Sequence, residues 1–216
     1  MNMTKQANAR PGKCVDHAPA VPERNVCWWW PAGVVAVLAV SALLAVTSCG
    51  QPTPNGPPGR NATYSPPTGT VTYPEPNRNH VIGKVQYDHS PPVGGNHSYI
   101  WLNCGIYDLP VPNENAVHSL EHGTVWITYL PSLSSAELDR LRALVKASYH
   151  GPDRYVILSP YPGQSAPIIA SAWGNQLTLQ TSTDPRLQSF INYFRQGPQD
   201  LERAGRCSGG TGSPIG

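Results

Sequence analysis

A chain of 216 residues has room for one domain of ordinary size plus appendages. Only 13% of its residues are charged, and the formal net charge of +2 sits near the start, where Lys5, Arg10, Lys13 and Arg24 outnumber Asp16 and Glu23. From Gly50 onward acids and bases cancel, and a neutral region with no basic stripe excludes an electrostatic footprint for DNA or RNA.

Residues 1–27 read as a cytoplasmic n-region. Trp28–Ser48 (WWWPAGVVAVLAVSALLAVTS) follows without a single charge. A helix of that length spans about 30 Å, the thickness of a bilayer core. The basic flank lies on its N-terminal side, so the N-terminus is expected to stay inside and the rest to be exported. The run ends Val46-Thr47-Ser48-Cys49-Gly50, which resembles the lipobox of bacterial lipoproteins, with Cys49 as the lipidation site. The n-region is long for such a signal and carries its own Cys14 and Cys27. Residues 28–49 therefore read either as a lipoprotein signal or as a transmembrane anchor. Both readings place the protein at the cell membrane with its C-terminal domain extracytoplasmic.

Residues 50–79 are dominated by Pro, Gly, Thr and Asn. Such a stretch buries too little apolar surface to offset its ordering entropy, so it reads as a stiff linker. The globular part is expected over residues 80–210, with 211–216 as a flexible tail.

Inside it, Thr124–Leu130 (TVWITYL) alternates and is β-branched, the pattern of a strand. Ser134-Ser135-Ala136-Glu137 is a capping box, and Leu138, Leu141, Leu144 and Val145 then make one apolar helical stripe. Tyr155–Ser159 reads as a buried strand. Pro167–Trp173 and Gln176–Thr181 flank Gly174-Asn175, a hairpin signal. Thr183-Asp184-Pro185 opens a second helix, with Leu187, Phe190, Ile191 and Phe194 on its apolar face and Gly197-Pro198 as the stop. The expected fold is a single small α+β domain: one mainly antiparallel or mixed sheet with two helices packed on it.

If Cys49 carries lipid, the exported domain keeps Cys104 and Cys207. Exported compartments permit disulfides, so these two are expected to pair and to pin the C-terminal segment to the start of the domain. There is no C-x-x-C, which speaks against thioredoxin-type redox chemistry.

Two stretches carry chemistry. In His118-Ser119-Leu120-Glu121-His122-Gly123 the histidines are four apart, so one helical turn puts both imidazoles on the same side. Glu121 sits beside them, able to ligate, to accept a proton or to orient a ring. Pro91-Pro92-Val93-Gly94-Gly95-Asn96-His97 brings a third histidine on a braced turn. Histidines plus a carboxylate are the donors zinc prefers, with copper(II) second. The spelling H-x-x-E-H matches the inverted zincin signature, but Gly123 and a strand follow at once, where a zincin keeps a long helix. His80, His89 and His150 are expected in loops, solvated or behind the ligands. The last methionine is Met3, which speaks against a Met-rich copper(I) carrier. No P-loop, G-x-S-x-G or G-x-G-x-x-G is present.

The motifs PPVGGNH, Cys104-Gly105-Ile106-Tyr107, HSLEHG, ASAWGNQL from Ala170 and YFRQGPQ from Tyr193 together resemble the uncharacterised bacterial domain-of-unknown-function family 3105. The resemblance covers roughly residues 80–210. It implies an N-terminal membrane segment and brings no established activity. Three functions remain open on sequence. The first is a metal-binding extracytoplasmic domain, for zinc or copper(II), using His97, His118, His122 and Glu121. The second is a non-catalytic envelope module for a protein or glycan partner, with structural histidines and exposed aromatics among Trp101, Trp126 and Trp173. The third is a metal-dependent hydrolase with Glu121 as the catalytic base.

Overall fold

The computed structural model describes residues 65–75, 77–149, 154–202 and 205–216. Trp28–Ser48, Cys49 and His150 lie outside the described residues, and among the described residues no helix is long and apolar enough to cross a membrane. The elements run β1 (Val71–Thr72), β2 (His80–Val81), β3 (His97–Ser98), β4 (Gly105–Ile106), α1 (Asn113–Glu121), β5 (Val125–Tyr129), α2 (Ser135–Ala147), β6 (Val156–Pro160), β7 (Ile168–Ala172), β8 (Asn175–Leu179) and α3 (Pro185–Phe194). Six strands form one mixed sheet in the order β1-β8-β7-β5-β6-β4, and β2 and β3 make a separate parallel pair. The expected α+β class and mixed sheet are observed.

Strand alternation splits the interior in two. In β5, Val125, Ile127 and Tyr129 point to one face of the sheet, where Val156 and Leu158 of β6 and Ile168, Ala170 and Ala172 of β7 join them. Helix α2 covers this face with Leu141 and Val145, and α3 with Leu187, Phe190, Ile191 and Phe194. These are the apolar stripes read from the sequence. Trp126 and Ile157 point the opposite way, against Ala116, Val117 and Leu120 of α1. Truncating a fully buried side chain such as Leu141 to alanine is expected to cost about 2–5 kcal/mol, because the surroundings collapse only partly.

The helix starts follow the sequence signals. The Ser134 side chain accepts from the Glu137 amide, and the Asp184 side chain accepts from the Arg186 amide, with Pro185 in the first turn. The reciprocal half of the capping box is diverted: the Glu137 carboxylate accepts from the Ser182 amide and from Arg140. Glu137 thereby ties the start of α2 to the loop before α3.

Three expectations are corrected. Among the described residues there are three helices and not two, because α1 was hidden: seven of its nine residues are buried and four of those are polar, namely Glu114, His118, Ser119 and Glu121. The hairpin turn is Trp173-Gly174, one residue earlier than expected, with Gly174 at φ 64° and Ala172 paired to Asn175. The ends of the domain are also built in. Val71 and Thr72, inside the expected linker, pair with Gln176 and Asn175 of β8. The expected tail 211–216 runs beside β4, with the Ile215 amide bonded to Ile106 and the Ile106 amide bonded to Gly216. Both segments cover sheet edges through backbone bonds, which leave no side-chain pattern to read.

Candidate metal centre

The short parallel pair β2–β3 sets His80 directly opposite His97, with Val81 opposite Ser98. Gly95, at φ 100°, turns the chain into β3, and the His97 amide donates to Asn79. Helix α1 then brings the other two histidines. Its C-terminus is a Schellman motif, in which the Gly123 amide donates to Leu120 and the Thr124 amide to Ser119. Gly123 takes the required left-handed conformation at φ 79°. His122 is the C-cap, one turn beyond His118 on the same side. The helix ends there, so the zincin-like spelling does not sit within a long helix.

Each of three rings is locked by a backbone carbonyl. His97 Nδ1 lies 2.8 Å from the Gly95 oxygen, His118 Nδ1 2.6 Å from the Ser98 oxygen, and His122 Nδ1 2.7 Å from the Arg206 oxygen. A carbonyl only accepts, so Nδ1 carries the hydrogen in all three, and in the neutral ring Nε2 presents a lone pair. Such second-shell bonds fix the tautomer of metal-binding histidines.

The three Nε2 atoms then meet other acceptors. His118 Nε2 lies 3.0 Å from His122 Nε2. His122 Nε2 lies 3.2 Å from Glu202 Oε2. His97 Nε2 lies 2.9 Å from Glu121 Oε2, yet both atoms are buried without a hydrogen-bond partner, because the approach lacks hydrogen-bond geometry. His80 Nε2 is likewise buried and unpartnered. Lone pairs at these distances repel unless a positive charge lies among them. Neighbouring ligands of one tetrahedral zinc are roughly 3.3 Å apart, close to the spacings seen here.

The electrostatics agree with this picture. Burial, followed by the nearby histidines, pushes His118 down to about 4, so its imidazole is neutral at ordinary pH. Burial alone would raise the Glu121 carboxyl; the close approach of the His97 ring, with His118 and His80 behind it, outweighs burial and holds it below its ordinary value. Glu121 is therefore an anion, and Arg78 reaches its Oε1 at 3.9 Å. Aromatic rings wall the cluster: Trp101 against His118 and His122, Trp173 against His97, and Tyr99 stacked on His80.

His97, His118, His122 and Glu121, named from the sequence, are all buried here and face one another, but not around one point. Donor atoms within 4.8 Å of one another fall into two groups, His80/His97/His118 and His118/His122/Glu202. His80 and Glu202 were missed as donors. His80, expected in a loop and either solvated or behind the ligands, lies in β2 with its ring stacked on His118, centroids 4.8 Å apart. Glu202 comes from the segment after α3, held by the bond from its amide to the Glu121 carbonyl. Trp126 and Trp173 are buried and Trp101 packs on the histidines, so the three tryptophans do not make an exposed aromatic face. Glu121, the expected base of a hydrolase, is turned onto His97.

Cys104 and Cys207 form a disulfide, with Cα atoms 5.3 Å apart, as the cysteine inventory predicted. It lies in the same core as Trp126 and Leu120, next to the Arg206 carbonyl that holds His122.

No curated protein and no solved structure matches this chain. A family model described as protein of unknown function (DUF3105) matches residues 80–209, a span that contains all six donors and both cysteines, and the chain belongs to that family.

Proposed function

We propose that this protein is a metal-binding domain held on the outer side of a membrane, taking up zinc first and copper(II) second. One observation carries the reading: His118 and His122 turn their Nε2 atoms toward each other at 3.0 Å while each Nδ1 is spent on a backbone carbonyl. A divalent cation resolves that contact. Imidazole and carboxylate donors without thiolate or thioether suit zinc and copper(II) over copper(I). The placement outside the cytoplasm rests on the uncharged Trp28–Ser48 run with its basic flank, and an oxidising location suits the Cys104–Cys207 bridge.

The test is metal analysis of the full-length chain purified in detergent and dialysed against a weak chelator. The wild type is expected to retain stoichiometric zinc. His118→Ala and His122→Ala should each lose most of it, while His89→Ala, whose ring packs on Tyr73, should keep it. Identical melting of the wild type with zinc, with copper(II) and with strong chelator would return the histidines to a structural role. The envelope-module reading would then stand in its place.

A further inference from the structure

His118 belongs to both groups of donors, His118/His122/Glu202 and His80/His97/His118, and within each group the donor atoms lie within 4.8 Å of one another. Its Nδ1 donates to the Ser98 carbonyl, so Nε2 is the one nitrogen left for a ligand. A single lone pair holds one ion at a time. The two groups therefore cannot be filled together.

The second group is more than a packing of rings. His97 is 0% exposed and its Nε2 has no hydrogen-bond partner, and His80 Nε2 is buried and unpartnered in the same way. A buried nitrogen without a partner is costly, and two of them beside a third imidazole call for a ligand that satisfies both. Three imidazoles are a zinc set in their own right, with the fourth position left to water. The Glu121 carboxylate, with Oε2 2.9 Å from His97 Nε2, puts negative charge beside these rings.

The groups differ in two respects. Glu202 gives the first an anionic donor, whereas the second has only neutral rings, so a divalent cation is held more tightly by the first. Each group also has one member that reaches solvent. In the first it is Glu202, its side chain 46% exposed, and in the second it is half-buried His80 on β2. His97, His118 and His122 are buried between them.

We propose that one divalent ion has two alternative seats around His118, a tighter one on His118, His122 and Glu202 and a weaker one on His80, His97 and His118, and that it passes between them while His118 Nε2 keeps hold. Only coordinate bonds change in this step: those to His122 and Glu202 break as those to His80 and His97 form. The inference rests on the metal-binding reading above and deepens it, because a site with an opening at Glu202 and another at His80 takes an ion in on one side and gives it up on the other.

The experiment is titration of metal-free, full-length protein with cobalt(II), read by its visible absorption, followed by removal with excess chelator. The wild type is expected to bind one equivalent and no second. His80→Ala should keep that equivalent, which also shows that it folds, and release it at least twofold more slowly. His122→Ala should still bind one equivalent, at least tenfold more weakly and with an altered spectrum. Adding His80→Ala to His122→Ala should abolish this residual binding, and adding Glu202→Gln should leave it unchanged. No residual binding in His122→Ala, or residual binding lost with Glu202→Gln, overturns the second seat while preserving the metal-binding reading. A second equivalent in the wild type overturns the sharing of His118, and release from His80→Ala at the wild-type rate overturns the passage. No binding by the wild type sinks the underlying reading as well.

Discussion

His122 and Arg206 are joined by a 2.7 Å hydrogen bond from the imidazole Nδ1 to the backbone carbonyl, across 84 positions of sequence. The residue after Arg206 is Cys207, whose own carbonyl accepts from the Cys104 amide and whose sulfur is bonded to Cys104. The orientation of a candidate ligand therefore depends on a covalent link that contains no ligand.

Reduction of that link should have two measurable effects. Closing a loop of 103 residues stabilises by about 4–5 kcal/mol in the chain-entropy model, so the denaturant midpoint should fall markedly in reductant. Metal affinity should fall with it under conditions where the reduced chain is still folded, because the Arg206 carbonyl is no longer pinned. An unchanged midpoint and unchanged occupancy, with both thiols shown to be free, would contradict the link.

Gly205 offers a more local probe. A Cβ there would stand 2.5 Å from Cγ and Cδ2 of His122, closer than real contacts allow. Gly205→Ala must push the ring away, and overpacking of this kind costs about 1–3 kcal/mol. The variant should lose the metal held by His118 and His122 while remaining folded by circular dichroism. Wild-type metal content in Gly205→Ala would mean that the ring position is unimportant.

Gly123 makes a sharper stability test. It sits at φ 79°, and a Cβ would meet the Asp200 carboxylate at 2.7 Å. Gly123→Ala should destabilise by more than the roughly 1 kcal/mol usual for alanine in a left-handed position. The melting temperature of the metal-free protein reads this directly, and no change would show that the Schellman turn tolerates a side chain.

Acid should weaken the metal-free fold through His118. Its folded value lies near 4, below the ordinary 6.5, so between these values the unfolded chain binds more protons. The stability this group allows is complete above about pH 6.5 and is lost as pH falls toward 4. Metal affinity declines in the same direction, because ligand histidines must be neutral. Denaturant midpoints at a series of pH values in chelator should slope downward through this window, and His118→Gln should flatten the slope. A slope equally steep in that variant would assign the effect to other groups.

Membrane placement is open to a direct check. Protease added to intact spheroplasts should digest the domain while a cytosolic marker survives, and Cys49→Ala should abolish lipid labelling if the lipobox reading holds. Protection of the domain until lysis would overturn the exported topology. An unlabelled wild type still retained in membranes would favour the plain anchor.

Much of this molecule is legible where burial is apolar and one-sided. The α2 and α3 stripes, the alternation in β5 and the hairpin all follow from period and turn chemistry, and the disulfide follows from counting cysteines. Helix α1 escaped because its buried side carries Glu114, His118, Ser119 and Glu121, which reads as a polar stretch. Those residues are inside because other polar groups meet them: Lys84 and the Val85 amide for Glu114, Leu102 for Ser119. His97, His118, His122 and Glu121 were visible from spacing and composition. His80 was not, since a two-residue strand has no period, and only its pairing with β3 brings it beside His97. Glu202 lacks any local signal, because its position is set by a backbone bond to Glu121 far back in the chain.

The separation between His122 and the segment that locks it also orders events in time. Closing a long loop is entropically costly, and contacts that need it form after those that do not. His118 and His122 come together as soon as α1 winds, whereas the Arg206 carbonyl and Glu202 arrive only once the strands and α3 between them have been laid down. A half-finished chain thus exposes loose imidazoles, and on the metal-binding reading tight capture of an ion would be reserved for the completed fold.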